Sequence, residues 1–182
     1  CVIGNGVVID PQELLNEIGL ALEEREFDAR LTRLLKDFRN ALQSFEPVLN
    51  LGSATMIRMS EGATGRSQAV ALMTATPATQ MHTEIGEVAK QVRTLEPPRT
   101  RERLKELTIQ MLGVADTASA NFEKFLILDQ YNREDAMEII QAAYMQMYEA
   151  RRMQRQIQQL IEHPVTEFQP IGVERVTSSV GR

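Results

Sequence analysis

Apolar residues in this 182-residue chain return every three or four positions over long stretches, and that spacing limits its fold more than any other feature. A period near 3.6 puts them on one stripe of an α-helix, and a striped helix must bury the stripe against another. The pattern predicts an all-α protein, an antiparallel helical bundle of four to five helices. Aromatic residues are only 5 % with no Trp, against nine Met, so Leu, Ile, Val, Ala and Met must build the core, which suits helices better than sheets.

The first stretch, Val2 to Ile9, is β-like, a β-branched run interrupted by two glycines. Asp10, Pro11 and Glu13 then supply a helix start, with a capping carboxylate, a proline whose missing N–H costs nothing there, and an acid suited to the helix dipole. Leu14, Leu15, Ile18 and Leu22 share a face in a first helix that is expected to end near Phe27. Asp28 can cap a second, with Leu31, Leu34, Leu35, Phe38, Leu42 and Phe45 as its core stripe and Pro47 as its stop.

Residues 50–66, with Gly52, Gly62 and Gly65, read as a loop, and Ser67 to Thr76 as a short helix closed by Pro77. Met81, Ile85, Val88, Val92 and Leu95 mark the next helix, ended by Pro97 and Pro98. Thr100 opens a long helix with Leu104, Leu107, Met111, Val114, Ala118, Phe125 and Leu128 inside. After a short connection, Asn132 can cap a last helix facing inward through Ala136, Ile139, Ile140, Ala143, Met147, Ala150, Ile157 and Ile161.

Two helices of about 28 and 31 residues, each on the order of 45 Å long and joined by a short link, imply a long C-terminal antiparallel hairpin. Ala115, Ala118, Ala120, Ala142 and Ala143 let its helices approach closely. One domain is expected over residues 1–162, with residues 1–10 as an extended lead-in, and residues 163–182 form an extended or flexible tail.

The formal charge is −5, from 25 acids and 20 bases spread along the chain without a polybasic block, so nucleic acid and anionic lipid are not expected partners. No apolar run approaches the ~20 residues that span a bilayer. Cys1 is the only cysteine, which rules out an internal disulfide. Standing first in the sequence, Cys1 reads as a fragment boundary, an engineered end, or the lipid-bearing cysteine of a bacterial lipoprotein, and the last of these would place the protein at the cell envelope rather than in the cytoplasm.

Candidate chemistry is sparse. A carboxylate-bridged metal pair needs Glu-x-x-His steps on two helices, and neither His82 nor His163 follows a Glu by three residues. Glu84 and Glu87 near His82 read as a solvated helix edge. No serine sits in a Gly-x-Ser-x-Gly turn. Gly62 to Ser67 has the glycines and arginine of a phosphate loop but not the spacing. Arg151, Arg152 and Arg155 form a basic strip, offset by Glu134, Asp135, Glu138 and Glu149, and read as a solvated face. Met137, Met145, Met147 and Met153 suit either a core or an adaptable binding surface. No metal or cofactor is expected.

Val2 to Pro11, VIGNGVVIDP, followed by Leu14, Leu15, Glu17 and Ile18, closely resembles a segment of the adenylosuccinate synthetase family. That family joins IMP to aspartate with GTP and Mg²⁺. Ala63-Thr64-Gly65-Arg66 looks like part of its IMP loop, and Val176-Thr177-Ser178-Ser179 like its Val-Thr-Ser-Ser motif. The resemblance implies that Thr64, Gly65, Arg66 and Thr177 bind substrate, with Thr64 at the IMP phosphate. The close match covers about a tenth of the chain, and the family's phosphate loop, catalytic His and guanine site have no counterpart in these residues. It therefore implies at most an IMP-binding fragment.

Taken from the residues alone, the chain reads as a non-enzymatic helical-bundle scaffold, adaptor or ligand-binding module. It would act through helix surfaces toward a protein partner or a second copy of itself.

Overall fold

The computed structural model describes the backbone of residues 2–3, 7–8, 10–60, 68–128 and 133–163, and the side chains of residues 10–46, 77–125 and 135–163. Strands β1 (Val2–Ile3) and β2 (Val7–Val8) pair antiparallel, Val2 opposite Val8. Among the described residues four α-helices follow: α1 (Pro11–Ser60), α2 (Gln68–Thr94), α3 (Glu102–Leu128) and α4 (Arg133–Glu162), with a 3-10 turn at Arg99–Arg101 before α3. The architecture is the expected all-α bundle.

Contacts between named residues fix the helix directions. Lys105 at the start of α3 donates to the carbonyls of Arg93 (3.0 Å) and Leu95 (2.6 Å) where α2 ends, while His82, further back in α2, meets Asp116 and Glu123, so α2 and α3 are antiparallel. Asp28 pairs with Arg101, and Phe45 packs edge-on against Phe122 at 5.2 Å, so α1 and α3 are parallel. Phe122 meets Tyr144 at 5.4 Å, and the Asn121 amide donates to Gln146 at 2.9 Å, placing the start of α4 beside the end of α3. Further along α4, Gln154 donates to the Leu35 carbonyl at 3.4 Å. The bundle therefore runs up, down, up, down.

The core follows the sequence stripes. Leu31, Leu34, Leu35, Phe38, Leu42 and Phe45 of α1 are buried, with Met81, Ile85, Val88 and Val92 of α2. From α3 come Leu104, Met111, Ala118 and Phe125, and from α4 Ala136, Ile140, Ala143, Met147, Ala150 and Ile157. Ala115 is fully buried with Ala118 and Ala143, and such small side chains let the long α3–α4 hairpin close tightly. Ala142 instead faces solvent. Leu112 and Phe122, absent from the expected stripe, are also core residues, because a bundle helix packed on two neighbours buries a wider arc than one a/d seam.

Helix boundaries differ from the expected ones at the prolines. Neither Phe27 nor Asp28 marks an end: α1 continues through both and through Pro47 to Ser60, which converts the expected loop into helix over residues 50–60. Pro77 likewise lies inside α2. An interior proline removes one backbone hydrogen bond and costs about 3 kcal/mol. The flanking packing offsets that cost: Phe38, Leu42 and Phe45 are buried just before Pro47, and Ala78, Met81 and Ile85 just after Pro77. Pro97 and Pro98 instead lie just past Thr94, the last residue of α2, where two successive prolines stop the helix. Residues 61–67 and the proposed cap Asn132 lie outside the described residues.

Candidate functional site

Helix α1 is longer than its partners, at 50 residues against 27, 27 and 30. Asp28 is level with Arg101 at one end of the bundle, and Leu35 with Gln154, so α1 residues before about Glu24 extend past the end of α4. This N-terminal arm begins on a proper cap. The Asp10 carboxylate accepts from the Gln12 N–H at 2.8 Å, the Asp10 carbonyl accepts from Leu14 N–H at 3.1 Å, and Pro11 fills the first helical position.

The arm carries the apolar face predicted for a first helix, but the face is not buried. Leu14, Leu15, Ile18, Leu20 and Leu22 are 44 to 62 % exposed. At 100° per residue, Leu14, Leu15, Ile18, Ala21 and Leu22 fall within one arc about 120° wide, with Asn16, Leu20 and Glu24 behind it. Five of the seven exposed large hydrophobic residues among the described residues belong to this arm.

The same segment holds the charge of the protein. Asp10, Glu13, Glu17, Glu23, Glu24 and Glu26 stand against the single Arg25, a net of −5, and the rest of the chain balances 19 acids with 19 bases. The acids are therefore not evenly spread, as whole-chain composition suggested. A net charge taken over short windows would have revealed this.

A polar clasp fixes the arm where it leaves the bundle. The Arg101 guanidinium donates to both oxygens of Asp28, at 3.0 Å through Nε and 3.0 Å through Nη2, and lies 3.4 Å from Glu24. Its side chain is 13 % exposed and that of Asp28 18 %, so the fork is largely withdrawn from water. The Thr100 hydroxyl donates to Glu24, so Thr100 ties the 3-10 turn to α1 instead of capping α3. Residue type alone makes Asp28 a candidate helix cap. Its carboxylate is instead a tertiary anchor, and only the fold brings Arg101 to it.

A second cluster lies at mid-bundle. His82 Nδ1 is 2.9 Å from Glu123 and Nε2 3.3 Å from Asp116, so one imidazole from α2 bridges two acids of α3. Both ring nitrogens can donate only when the ring is doubly protonated, and in that form the contact fastens α2 to α3. Glu84 accepts from Gln80 and Glu87 pairs with Lys90, the solvated edge expected for them. Among the described residues no group of three or more His, Cys, Asp or Glu side chains is arranged so that it could hold a metal ion.

On α4, Met147 is core, whereas Met145 and Tyr148 face outward at 69 and 61 % exposure. Arg152 pairs with Glu149 at 2.7 Å. This hydrogen bond holds the Glu149 carboxyl below its ordinary range and raises Arg152 above its own.

The residues that the family resemblance assigns to substrate binding, namely Thr64, Gly65, Arg66 and Thr177, lie outside the described residues, as does Cys1. No helix among the described residues is long and apolar enough to cross a membrane. The chain matches no known protein family, no curated protein and no solved structure.

Proposed function

We propose that this protein is a helical-bundle adaptor or scaffold whose working part is the N-terminal arm of α1. The observation that carries this reading is the acidic arm itself, a capped helix that leaves the bundle with a continuous aliphatic face open to water. Leaving such a face solvated forgoes about 25 cal/mol for each Å² of apolar surface that could have been buried. A contiguous exposed apolar surface of this kind is the usual mark of a docking site. Helix-in-groove and helix-on-helix recognition both read anchors spaced i, i+4 and i+8, which Leu14, Ile18 and Leu22 supply.

The arm is also prepared for the task. A free 16-residue helix is marginal in water because its first turn is costly to nucleate. Here the buried part of α1 supplies the nucleus and the arm only propagates it. A partner therefore meets an ordered helix and does not bear the full cost of ordering it.

A photo-reactive phenylalanine analogue placed at Ile18, on the apolar arc, or at Asn16, on the back, tests this in cells that make the protein. Adducts from position 18 and not from 16 are expected. If position 18 gives no adduct while a control protein is captured, the arm is not a docking element.

A further inference from the structure

We propose that the arm docks on the outer face of α4 in a second copy of this chain, head to tail; the inference rests on reading the arm as a docking element. Outside the arm, the exposed large hydrophobic residues among the described residues are Met145 and Tyr148, and both lie on the side of α4 opposite the buried Ala143, Met147 and Ala150. On their C-terminal side the surface is basic, whereas Glu138 stands exposed on the N-terminal side. From Tyr148 to Gln159 the chain carries Arg151, Arg152 and Arg155 against Glu149, a net of +2. Arg152 already neutralises Glu149, which leaves Arg151 and Arg155 without an ion pair among the described residues. An acidic apolar helix therefore finds apolar anchors and an adjoining basic strip on the same molecule.

Geometry excludes the contact within one chain. Helices α1 and α4 run in opposite directions, and the arm departs beyond Glu162, the end of α4 far from Met145. The lengths match between copies: residues 11–26 of the arm span about 24 Å and Met145 to Gln159 about 22 Å. Charge disfavours the simpler arm-to-arm pairing, which would set six acids and one base against an identical set. An anionic lipid surface is disfavoured for the same reason.

Because the two faces differ, the contact is heterologous, and successive copies form either a closed ring or a chain. Two helix faces of this length bury on the order of 1,000 Å² in total, near the lower limit for specific association. The assembly should therefore depend on concentration, and it should weaken with salt as the charges are screened.

The test uses the full chain and two surface variants, Ile18→Glu and Met145→Glu, with sedimentation equilibrium over the micromolar to millimolar range. Both positions are solvent-exposed, so circular dichroism should confirm an unchanged helix content. The wild-type mass should rise with concentration, and each variant alone should need at least tenfold more protein to associate. An equimolar mixture should form a dimer and stop there, since it holds one intact arm and one intact α4 face. Association of Met145→Glu at wild-type strength would overturn the proposal, because it would mean that the arm meets something other than α4. A mixture that stays monomeric would overturn it too. A wild type that stays monomeric throughout also overturns it, and adducts from position 18 to a different protein would then leave the docking reading intact.

Discussion

The two halves of α1 have the same kind of sequence and opposite fates. Leu31, Leu34, Leu35, Phe38, Leu42 and Phe45 form an apolar stripe that is almost wholly buried, while Leu14, Leu15, Ile18 and Leu22 form a stripe of equal regularity that is largely exposed. Local pattern does not separate them. They differ in what lies alongside: the first stripe has α2, α3 and α4 beside it, and the second lies past the ends of those helices. An amphipathic stripe therefore says that a surface wants a partner, and topology decides whether the same chain provides one.

The largest expected contrast between the halves is in stability. Phe38→Ala should lower the unfolding free energy by about 3–5 kcal/mol, as for a large side chain deleted from a close-packed core. Ile18→Ala should change it by less than about 0.5 kcal/mol. Denaturant unfolding measures both, and a comparable loss from Ile18→Ala would show that the arm is packed and would end the comparison.

The clasp comes next. Arg101→Ala leaves Asp28 half-buried without its guanidinium and should cost about 1–3 kcal/mol. It should also speed amide hydrogen exchange through the arm more than in residues 31–45. Equal acceleration in both would mean that the clasp serves the bundle and not the arm.

Glycine gives a finer probe. Nothing lies within 4 Å of a Cβ added at Gly19 in the arm or at Gly113 in α3. Alanine at Gly113 should raise global stability by about 0.5–1 kcal/mol through helix propensity. At Gly19 the same gain should appear only as slower exchange of the arm's amides, because the arm opens without unfolding the bundle. A full global gain from Gly19→Ala would show that the two halves of α1 unfold together.

The smallest effect is expected at Glu149, whose carboxyl is lowered by its hydrogen bond to Arg152. A lowered acid contributes stability that is complete above the ordinary carboxylate range and is lost as the pH falls through that range and below it. The pair is exposed, so Glu149→Gln should leave the melting temperature nearly unchanged at neutral pH and slightly reduce its acid sensitivity. A marked loss at neutral pH would mean that Glu149 has a further partner.

Much of the bundle was legible in the sequence. The cap at Asp10, the stop at Pro97 and Pro98, and the inward faces of α2, α3 and α4 all follow from rules that act within one or two turns of chain. Reading failed where a local rule competed with distant packing. Pro47 and Pro77 read as stops and are helix interior, and Asp28 reads as a cap and binds Arg101, 73 residues away. The bridge from His82 to Asp116 and Glu123 had no local signal either, since its acids lie on the next helix. The acidic arm was open to a sequence reading that tracked charge along the chain, and whole-chain composition concealed it.

The sequence by itself determined that this protein is helical, which residues form each stripe, and that a core of aliphatic and Met side chains closes between helices. Hydrophobic period and capping chemistry are properties of neighbouring residues, so a single chain displays them without its fold. Only the tertiary structure decided that α1 is one helix and not two, that its clasp is Asp28 with Arg101, and that the stripe around Ile18 remains in water. Each of those depends on helix lengths and register across the bundle, which no stretch of sequence contains.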